Sequence, residues 1–287
     1  MAGPKVYDVA TANISMDAEI ERLYNQANLN VVKEARNLVA FGLRDGMSVL
    51  EVGSGPGFVT EWVSRLIPHG SITCVEIDPI MVDYARQYLE KASQCRYRII
   101  ESSITKTDLS DDSFDFAFAR IVFEHIPGRA EALNEIKRLL KPGGKLVMTE
   151  ADYSINLLTD PYFPEVEAIR GKLMKYGSSL GGNKMIGREM WRLLKKAGFK
   201  NLDLEAVVHH SGDKGVECFY PQINPQRVVP LVEAGAITEG EYETLRAAAE
   251  KLLASEDSFV LRVLLMACGE KPKGTNVCTL TKQTSKN

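Results

Sequence analysis

The stretch VLEVGSGPGF, from Val49 to Phe58, decides the fold because a run of apolar residues ends in closely spaced glycines. The letters VLEV are typical of a buried strand, and Gly53, Gly55 and Gly57 follow it at alternate positions. Glycine lacks a Cβ, so it adopts positive φ readily and lets a ligand approach the main chain. The stretch therefore predicts a strand, then a loop that holds a ligand against its backbone, then a helix.

Strands and helices alternate from this loop onward. The runs MSVLEVG, SITCVEI, YRIIE, FDFAFAR and KLVMTE predict five strands, and FKNLDLEAVVHH and DSFVLRVLLMACGE predict two more. Strands that alternate with helices form a parallel sheet covered on both faces, and right-handed crossovers give it a doubly wound order. We therefore predict an α/β fold with a doubly wound, mostly parallel seven-stranded sheet, a helical N-terminal extension and a helical insertion before the last strand.

The second predicted strand ends in an acid, Glu76. In open parallel sheets, ligands bind beyond the carboxyl ends of the strands, where such an acid holds ribose hydroxyls; a solvated strand end is the alternative. Phe58 stands where the dinucleotide pattern Gly-x-Gly-x-x-Gly has its third glycine, and no Gly-Lys-Ser/Thr of a triphosphate-binding loop follows. The loop is therefore predicted to hold a ribose and an amino-acid moiety rather than a pyrophosphate.

Composition narrows the class of protein and its partners. The net charge of −3 gives no general attraction to nucleic acid or anionic lipid. Five cysteines without a Cys-x-x-Cys pair indicate a reducing compartment and no metal site. No apolar stretch reaches membrane-spanning length, and the start lacks the signal-peptide pattern. We expect a cytoplasmic protein that binds a small molecule, without nucleic-acid partners, membrane insertion or metal.

Four segments resemble a known family. EVGSGPG, VEIDPIMVDYAR, DDSFDFAFAR and LKPGGKLVM follow one another at the order and spacing of the class I S-adenosylmethionine-dependent methyltransferases. Within that family, the sequence most resembles the small-molecule enzymes of the quinone and sterol C-methylating type. The resemblance implies a Rossmann-like methyltransferase fold, S-adenosyl-L-methionine as cofactor and S-adenosyl-L-homocysteine as product.

The resemblance also implies roles for individual residues at the loop and the second strand. Glu51 would face the methionine ammonium, and Glu76 would hold the ribose hydroxyls. Two apolar side chains would pack against the adenine, Ile77 on one face and Met81 on the other. The full set of implied cofactor-binding residues is Tyr24, Glu51, Gly53, Ser54, Gly55, Glu76, Ile77, Met81, Ser103, Ile104 and Arg120.

Four members of that set lie in earlier or later segments of the chain. Ser102 stands where many family members have an acid, so adenine recognition would fall to backbone groups of Ser103 and Ile104. Arg120 would lie beside the methionine part through its main chain. Tyr24 would close over the cofactor carboxylate, or else is a half-exposed helix tyrosine.

Candidate catalytic groups follow the fourth and fifth predicted strands: His125, Glu150 and Asp152. A phenol acceptor needs a general base, whereas an amine or electron-rich carbon does not. His125 is predicted to be that base, or else a helix-capping or cofactor-side histidine, and the two acids are predicted to orient a substrate amine or hydroxyl. His209 and His210 are expected to be half-exposed structural residues.

The chain is predicted to divide into five parts. The first two are a flexible arm over 1–16 and a helical cover over 17–43, in which apolar residues recur at the spacing of one helix from Asp17 to Gly42. A cofactor-binding core over 44–150 follows, then the rest of the sheet over 151–270 with substrate-covering helical insertions at 151–183 and 211–256, and a mobile tail over 271–287. The leading helix would cover its own site or pair with a second copy. The predicted function is methyl transfer to carbon, nitrogen or oxygen of a small molecule, with a biosynthetic role in secondary metabolism. The alternatives are an NAD(P)-dependent oxidoreductase and a noncatalytic protein that binds an adenosyl cofactor.

Overall fold

The computed structural model describes Tyr7, residues 15–29 and residues 31–273, with the side chain of Asp213 excepted. The predicted arm over 1–16 and the predicted tail over 271–287 therefore lie largely outside the described residues. Within the described residues, no helix combines the length and apolar character needed to cross a lipid bilayer.

A single mixed sheet forms the centre of the molecule. Its strands are β1 (Ser48–Val52), β2 (Ser71–Glu76), β3 (Arg96–Glu101), β4 (Phe114–Arg120), β5 (Leu140–Ala151), β6 (Leu158–Asp160), β7 (Lys200–His210) and β8 (Phe259–Glu270). The order is β3-β2-β1-β4-β5-β8-β6, and β7 also pairs with β8. Strands β1 to β5 are parallel, whereas β8 is antiparallel to its three neighbours. This confirms the doubly wound, mostly parallel prediction and places the reversal of strand order between β1 and β4.

The sheet has one strand more than the seven predicted from the sequence, and the additional strand is β6. Strand β6 has three residues and pairs with the start of β8 at Phe259–Leu261. It lies within 151–183, which we predicted to be helical. A segment this short shows no alternation of its own, and only the partner strand stabilises it.

Helices cover both faces of the sheet. They are α1 (Met16–Asn28), α2 (Val31–Phe41), α3 (Phe58–Leu66), α4 (Pro79–Ala92), α5 (Arg129–Leu139), α6 (Pro164–Ser179), α7 (Ile186–Lys196), α8 (Tyr220–Ile223), α9 (Val229–Glu233) and α10 (Glu239–Leu253). Helix α4 begins at a cap in which the Asp78 carboxylate accepts the Ile80 N–H at 2.9 Å, and proline occupies the first turn.

The leading helical segment consists of two helices, whereas the apolar spacing from Asp17 to Gly42 predicted one. Helix α1 starts at a cap in which the Ser15 hydroxyl accepts the Ala18 N–H at 3.2 Å. It ends where the Asn28 side chain donates to the Tyr24 carbonyl at 2.8 Å, a bond that competes with helix continuation. The apolar spacing is kept across the break, so periodicity alone did not reveal it.

Successive residues of β1 point to opposite faces of the sheet, and both faces are buried. Leu50 and Val52 join one apolar cluster, while Val49 joins the other with Leu38 and Trp62. Glu51 therefore points to the same face as Val49, towards α3. The burial of both faces explains why β1 is almost continuously apolar.

Candidate functional site

The glycine loop, Gly53 to Gly57, follows β1 at the reversal of strand order. Gly53 and Gly55 have φ of 64° and 53°, in the left-handed region. A Cβ at Gly53 would lie 2.6 Å from a Val122 methyl, so packing of the fold itself requires glycine there. A Cβ at Gly55 would meet no described atom within 4 Å, so beside Gly55 the loop borders open space.

The Glu76 carboxylate fixes the shape of this loop. It accepts the Gly55 N–H at 2.8 Å, the Ile77 N–H at 2.8 Å and the Asp78 N–H at 2.9 Å. A carboxylate offers about four lone-pair positions, so three backbone donors leave capacity for a further donor. The tip of β2 thus presents a positioned acceptor beside the open side of Gly55.

The predicted adenine contacts differ in exposure. Ile77 leaves 67% of its surface exposed, whereas Met81 and Ile104 are buried at 2% and 7%. Ile104 packs in the core with Phe123, and the Ser103 hydroxyl lies 2.8 Å from the Thr105 hydroxyl. Of these predicted apolar contacts, Ile77 is therefore the exposed one.

Glu51 is buried behind the loop. Its carboxyl accepts the Thr60 hydroxyl at 2.6 Å and lies 3.7 Å from the Cys74 sulfur. Burial, reinforced by the charge of Glu76, raises the pKa of Glu51 to about 8. The Ser54 hydroxyl is also buried and has no hydrogen-bond partner among the described residues. A cationic, hydrogen-bonding group bound here would satisfy the hydroxyl and favour ionised Glu51.

These residues fit an adenosyl ligand that carries an amino acid. Glu76 offers a spare acceptor for ribose hydroxyls, and Ile77 offers an apolar face for a base. Gly55 leaves room for close approach, while Ser54 and Glu51 supply an unpartnered hydroxyl and an acid for the polar end. The described residues of the protein do not fully occupy these groups: the Glu76 acceptor, the Ile77 surface, the space beside Gly55 and the Ser54 hydroxyl can each contact a ligand.

The N-terminal helices are tied over this edge of the sheet. The Arg120 guanidinium forms a two-point ion pair with Glu34, at 2.7 and 2.8 Å, and donates to the Gln26 carbonyl at 2.8 Å. The Tyr24 ring stands edge-on to Phe58, with centroids 5.1 Å apart, and is 49% exposed. Helix α1 therefore lies beside the glycine loop, with an aromatic ring still partly open.

Glu150 supports the chain that follows β4. It is fully buried, and one carboxyl oxygen accepts the N–H groups of Val122 and Phe123 at 2.9 and 2.7 Å. Burial and the nearby charge of Glu124 raise the pKa of Glu150 to about 8. Its other oxygen is buried and has no partner among the described residues.

His125 belongs to the same corner of the structure. Its Nε2 lies 2.9 Å from Glu124, whose carboxylate also lies 3.3 Å from the Lys184 ammonium. Burial opposes ionisation of Glu124, but Lys184 and His125 outweigh it and lower its pKa to about 2. The His125 Nδ1 is buried without a partner in the described part of the chain.

Asp152 is held apart from that corner. Its carboxylate pairs with Arg188 on α7 and accepts the Ser154 hydroxyl at 2.7 Å. Burial opposes ionisation, yet Arg188 and Ser154 hold the pKa of Asp152 below its ordinary value. The structure thus brings His125 and Glu150 to one corner and places Asp152 in a separate ion pair.

The prediction that His209 is half-exposed is wrong. His209 is 1% exposed, because its side chain lies on the covered face of β7 beneath α2. Burial, then the charges of Arg262, Arg120 and Lys33, lowers its pKa to about 2, so the imidazole is neutral. A cavity of about 190 Å³ borders His209 beside the turn between α1 and α2.

Sequence reasoning missed a group of buried and half-buried charges at this same end of the sheet. Its members are Glu19, Arg22, Glu124, Lys184, Arg227 and Arg262. They are scattered along the chain, so no local motif links them. One signal was available: Arg262 interrupts the apolar letters FVLRVLLMAC of the last strand.

Comparison with known proteins defines the class. Residues 50–148 match the family described as "Methyltransferase domain". An uncharacterized 37.1 kDa protein in transposon TN4556 of Streptomyces fradiae is 30% identical over 184 residues, which cover 63% of this chain and 52% of that protein. The ubiquinone/menaquinone biosynthesis C-methyltransferase UbiE of Pseudomonas aeruginosa is 30% identical over 46% of this chain and 54% of its own length.

A solved structure shows the same fold. It is Haemonchus contortus phosphoethanolamine N-methyltransferase 2 in complex with phosphomonomethylethanolamine and S-adenosylhomocysteine, with a TM-score of 0.53, 18% identity, and coverage of 84% of this chain and 52% of that one. The chain thus spans about half the length of these relatives. Residues 50–148 therefore form a methyltransferase domain, and this part of the chain is similar to S-adenosylmethionine-dependent methyltransferases.

Proposed function

We propose that this protein transfers the methyl group of S-adenosylmethionine to a small organic acceptor. The observation that carries the proposal is the glycine loop held by Glu76, with open space beside Gly55 and exposed Ile77 next to it. When bound, the cofactor supplies an activated methyl group. The protein's own task is then to bind, to orient and to exclude water, and orientation alone contributes roughly 7–11 kcal/mol to such reactions.

Each loop residue has a proposed part in binding. Glu76 accepts hydrogen bonds from the ribose hydroxyls, and Ser54 and Glu51 face the methionine end. Ile77 packs on the adenine together with Met81, which must move from its buried position or contact the ring by its edge. Backbone groups of Ser103 and Ile104 recognise the adenine rim, and the main chain at Gly53 and Arg120 borders the methionine.

We further propose that α1 and α2 cover their own active site. The ion pair of Arg120 with Glu34 and the contact of Tyr24 with Phe58 support this role over pairing with a second copy. The segments 151–183 and 211–256 would complete the acceptor pocket from the other side. The partner that we propose for this site is a small-molecule acceptor. The protein would then have a biosynthetic role in the cytoplasm.

The hydrogen bonds and ion pairs of the candidate bases indicate which kind of atom accepts the methyl group. Glu150 and Asp152 are engaged by the backbone and by Arg188, and His125 is engaged through one nitrogen by Glu124. A nucleophile that needs little deprotonation, such as an amine or an electron-rich carbon, suits this arrangement better than a phenol. Glu150 and Asp152 would then position the surrounding chain, and His125 Nδ1 is left to orient the acceptor.

One alternative is a noncatalytic protein that binds the cofactor. It is retained because Glu150 and Asp152 are already bonded to other groups of the protein. The family match removes the reason to retain a nicotinamide-dependent oxidoreductase. The test is incubation with methyl-labelled S-adenosylmethionine and a low-mass metabolite extract. Methyl transfer predicts a labelled product that disappears when excess S-adenosylhomocysteine is added. Binding of S-adenosylhomocysteine without any labelled product would refute transfer and support the noncatalytic alternative.

A further inference from the structure

Arg262 is a buried guanidinium that no acid of the described residues contacts directly. It lies within β8, is 4% exposed, and forms no hydrogen bond or ion pair with the described residues. Its Nη1 is buried and unpartnered. A buried charge without a partner is strongly unfavourable, so a chain that keeps one there needs a group to pair with it.

Arg262 lies at the ligand-binding edge of the sheet. Its cross-strand partner on β7 is His209, and β5 ends at Ala151, opposite Leu264 of β8. Because side chains alternate along a strand, Arg262 shares a face with Leu264 and Met266, the face covered by α2. Arg120, at the carboxyl end of β4, lies close enough to act on its charge.

A second guanidinium approaches the same place from the insertion. Arg227 donates through Nη1 to the Gln222 carbonyl at 2.7 Å, but its Nε is buried without a partner in the described part of the chain. Arg22 and Tyr153 lie within electrostatic range of both Arg227 and Arg262. Arg227, from the insertion, and Arg262, from the sheet edge, therefore both lie near Arg22 and Tyr153.

The neighbouring acids are already paired with other cations. Glu19 binds Arg22 at 2.8 Å, Glu34 binds Arg120 at 2.7 Å, and Glu124 lies 3.3 Å from Lys184. Neutral His209 adds no charge. Two guanidinium charges thus remain in excess among the described residues of this region.

We propose that the methyl acceptor carries an anionic group, a carboxylate or a phosphate monoester, which Arg262 and Arg227 bind. This inference rests on the proposed function and specifies the acceptor of the same site. Guanidinium groups bind carboxylates and phosphates through two parallel hydrogen bonds, so this pair fixes the orientation of the acceptor as well as its charge. Because Arg227 belongs to the insertion, binding of the anion would also draw the insertion onto the sheet edge.

The first experiment examines the labelled products of the extract by anion exchange at neutral pH. The proposal predicts that the label is retained on the column and elutes with salt. Label in the unretained fraction would overturn the anionic acceptor and leave methyl transfer intact. If no product is labelled, the proposed function fails, and the second experiment decides whether an anion site exists.

The second experiment measures calorimetric binding of inorganic phosphate and of acetate to the protein loaded with S-adenosylhomocysteine. Wild-type protein is expected to bind one of them at least tenfold more tightly than Arg262→Met, while Arg262→Lys retains part of the affinity. Arg192→Met removes an exposed arginine of α7 and is the matched control, with wild-type affinity expected. Preference for phosphate or for acetate identifies which anionic group the acceptor carries.

Three results would overturn the proposal. One is equal anion affinity in wild-type protein and Arg262→Met, and another is no binding of either anion to wild-type protein. The third is a tenfold loss of S-adenosylhomocysteine affinity in Arg262→Met, which would assign the guanidinium to the cofactor's own carboxylate.

Arg262→Met should melt at or above the wild-type temperature without anions, because it removes an unpaired buried charge. If it does not fold, Arg227→Met provides the same comparison.

Discussion

At the scale of single residues, the glycine loop separates two reasons for glycine. Gly53 has no room for a side chain because of Val122, whereas Gly55 has room but a left-handed backbone. The letters GSGPG predicted a loop that a ligand approaches, but they could not tell which glycine faces the ligand. That distinction depends on Val122, which comes from the loop after β4.

Gly55→Ala should weaken S-adenosylhomocysteine binding at least tenfold, about 1.4 kcal/mol, because the new methyl occupies the open space beside the loop. Gly46→Ala is a matched control, since Gly46 also has positive φ and open surroundings but lies before β1. Both variants should lose about 1–2 kcal/mol of stability from left-handed backbone. Calorimetry and urea unfolding check the two effects, and equal affinity in both variants would contradict the placement of the ligand.

Glu51 should give the protein a distinctive dependence on pH. Its pKa of about 8 in the folded protein exceeds the ordinary value of about 4.3, so the folded state holds its proton where the unfolded state has released it. The unfolding free energy therefore falls as pH rises between these values, by about 1.4 kcal/mol per pH unit from this group. Urea unfolding at about pH 5.5 and 7.5 should show a smaller fall in Glu51→Gln than in wild-type protein.

Glu101→Gln is the control for that series, because it alters an exposed acid at the end of the neighbouring strand. It should follow the wild-type pH dependence. Parallel curves for wild-type protein and Glu51→Gln would show that Glu51 is ionised in the folded state, contrary to the burial argument.

At the scale of secondary-structure elements, the N-terminal helices depend on a buried ion pair rather than on apolar packing alone. Arg120 and Glu34 leave only 7% and 2% of their side-chain surfaces exposed. The sequence predicted a helical segment over 17–43 from its apolar spacing, but it did not predict this pair. The two residues are far apart in the chain, and neither lies in a motif that indicates a partner.

Glu34→Gln should lower the free energy of unfolding by about 3–5 kcal/mol, because it leaves the Arg120 charge buried without a counter-ion. Asp83→Asn breaks the exposed pair with Arg86 and should cost less than about 1 kcal/mol. Urea unfolding of both variants at neutral pH measures the difference. If the two changes cost the same, the ion pair does not hold the cover helices in place.

At the scale of the whole molecule, the parallel sheet was predictable because β1, β2 and β4 are local apolar runs that each precede a helix. The short strand β6 and the break between α1 and α2 were not, since both depend on contacts with distant parts of the chain. The cofactor side of the site was readable from Gly55 and Glu76, which lie in local motifs. The proposed acceptor side was not, because Arg262 and Arg227 come from distant parts of the chain and neither lies in a local motif.

The central claim is that the glycine loop and the tip of β2 bind the adenosyl cofactor. The most direct measurement is calorimetric titration of S-adenosylhomocysteine into wild-type protein, Glu76→Ala and Glu101→Ala. The account predicts that Glu76→Ala weakens binding by about tenfold to a hundredfold, from the lost hydrogen bonds, while Glu101→Ala binds as the wild type does. Unchanged affinity in folded Glu76→Ala, or no binding to the wild-type protein, would contradict it.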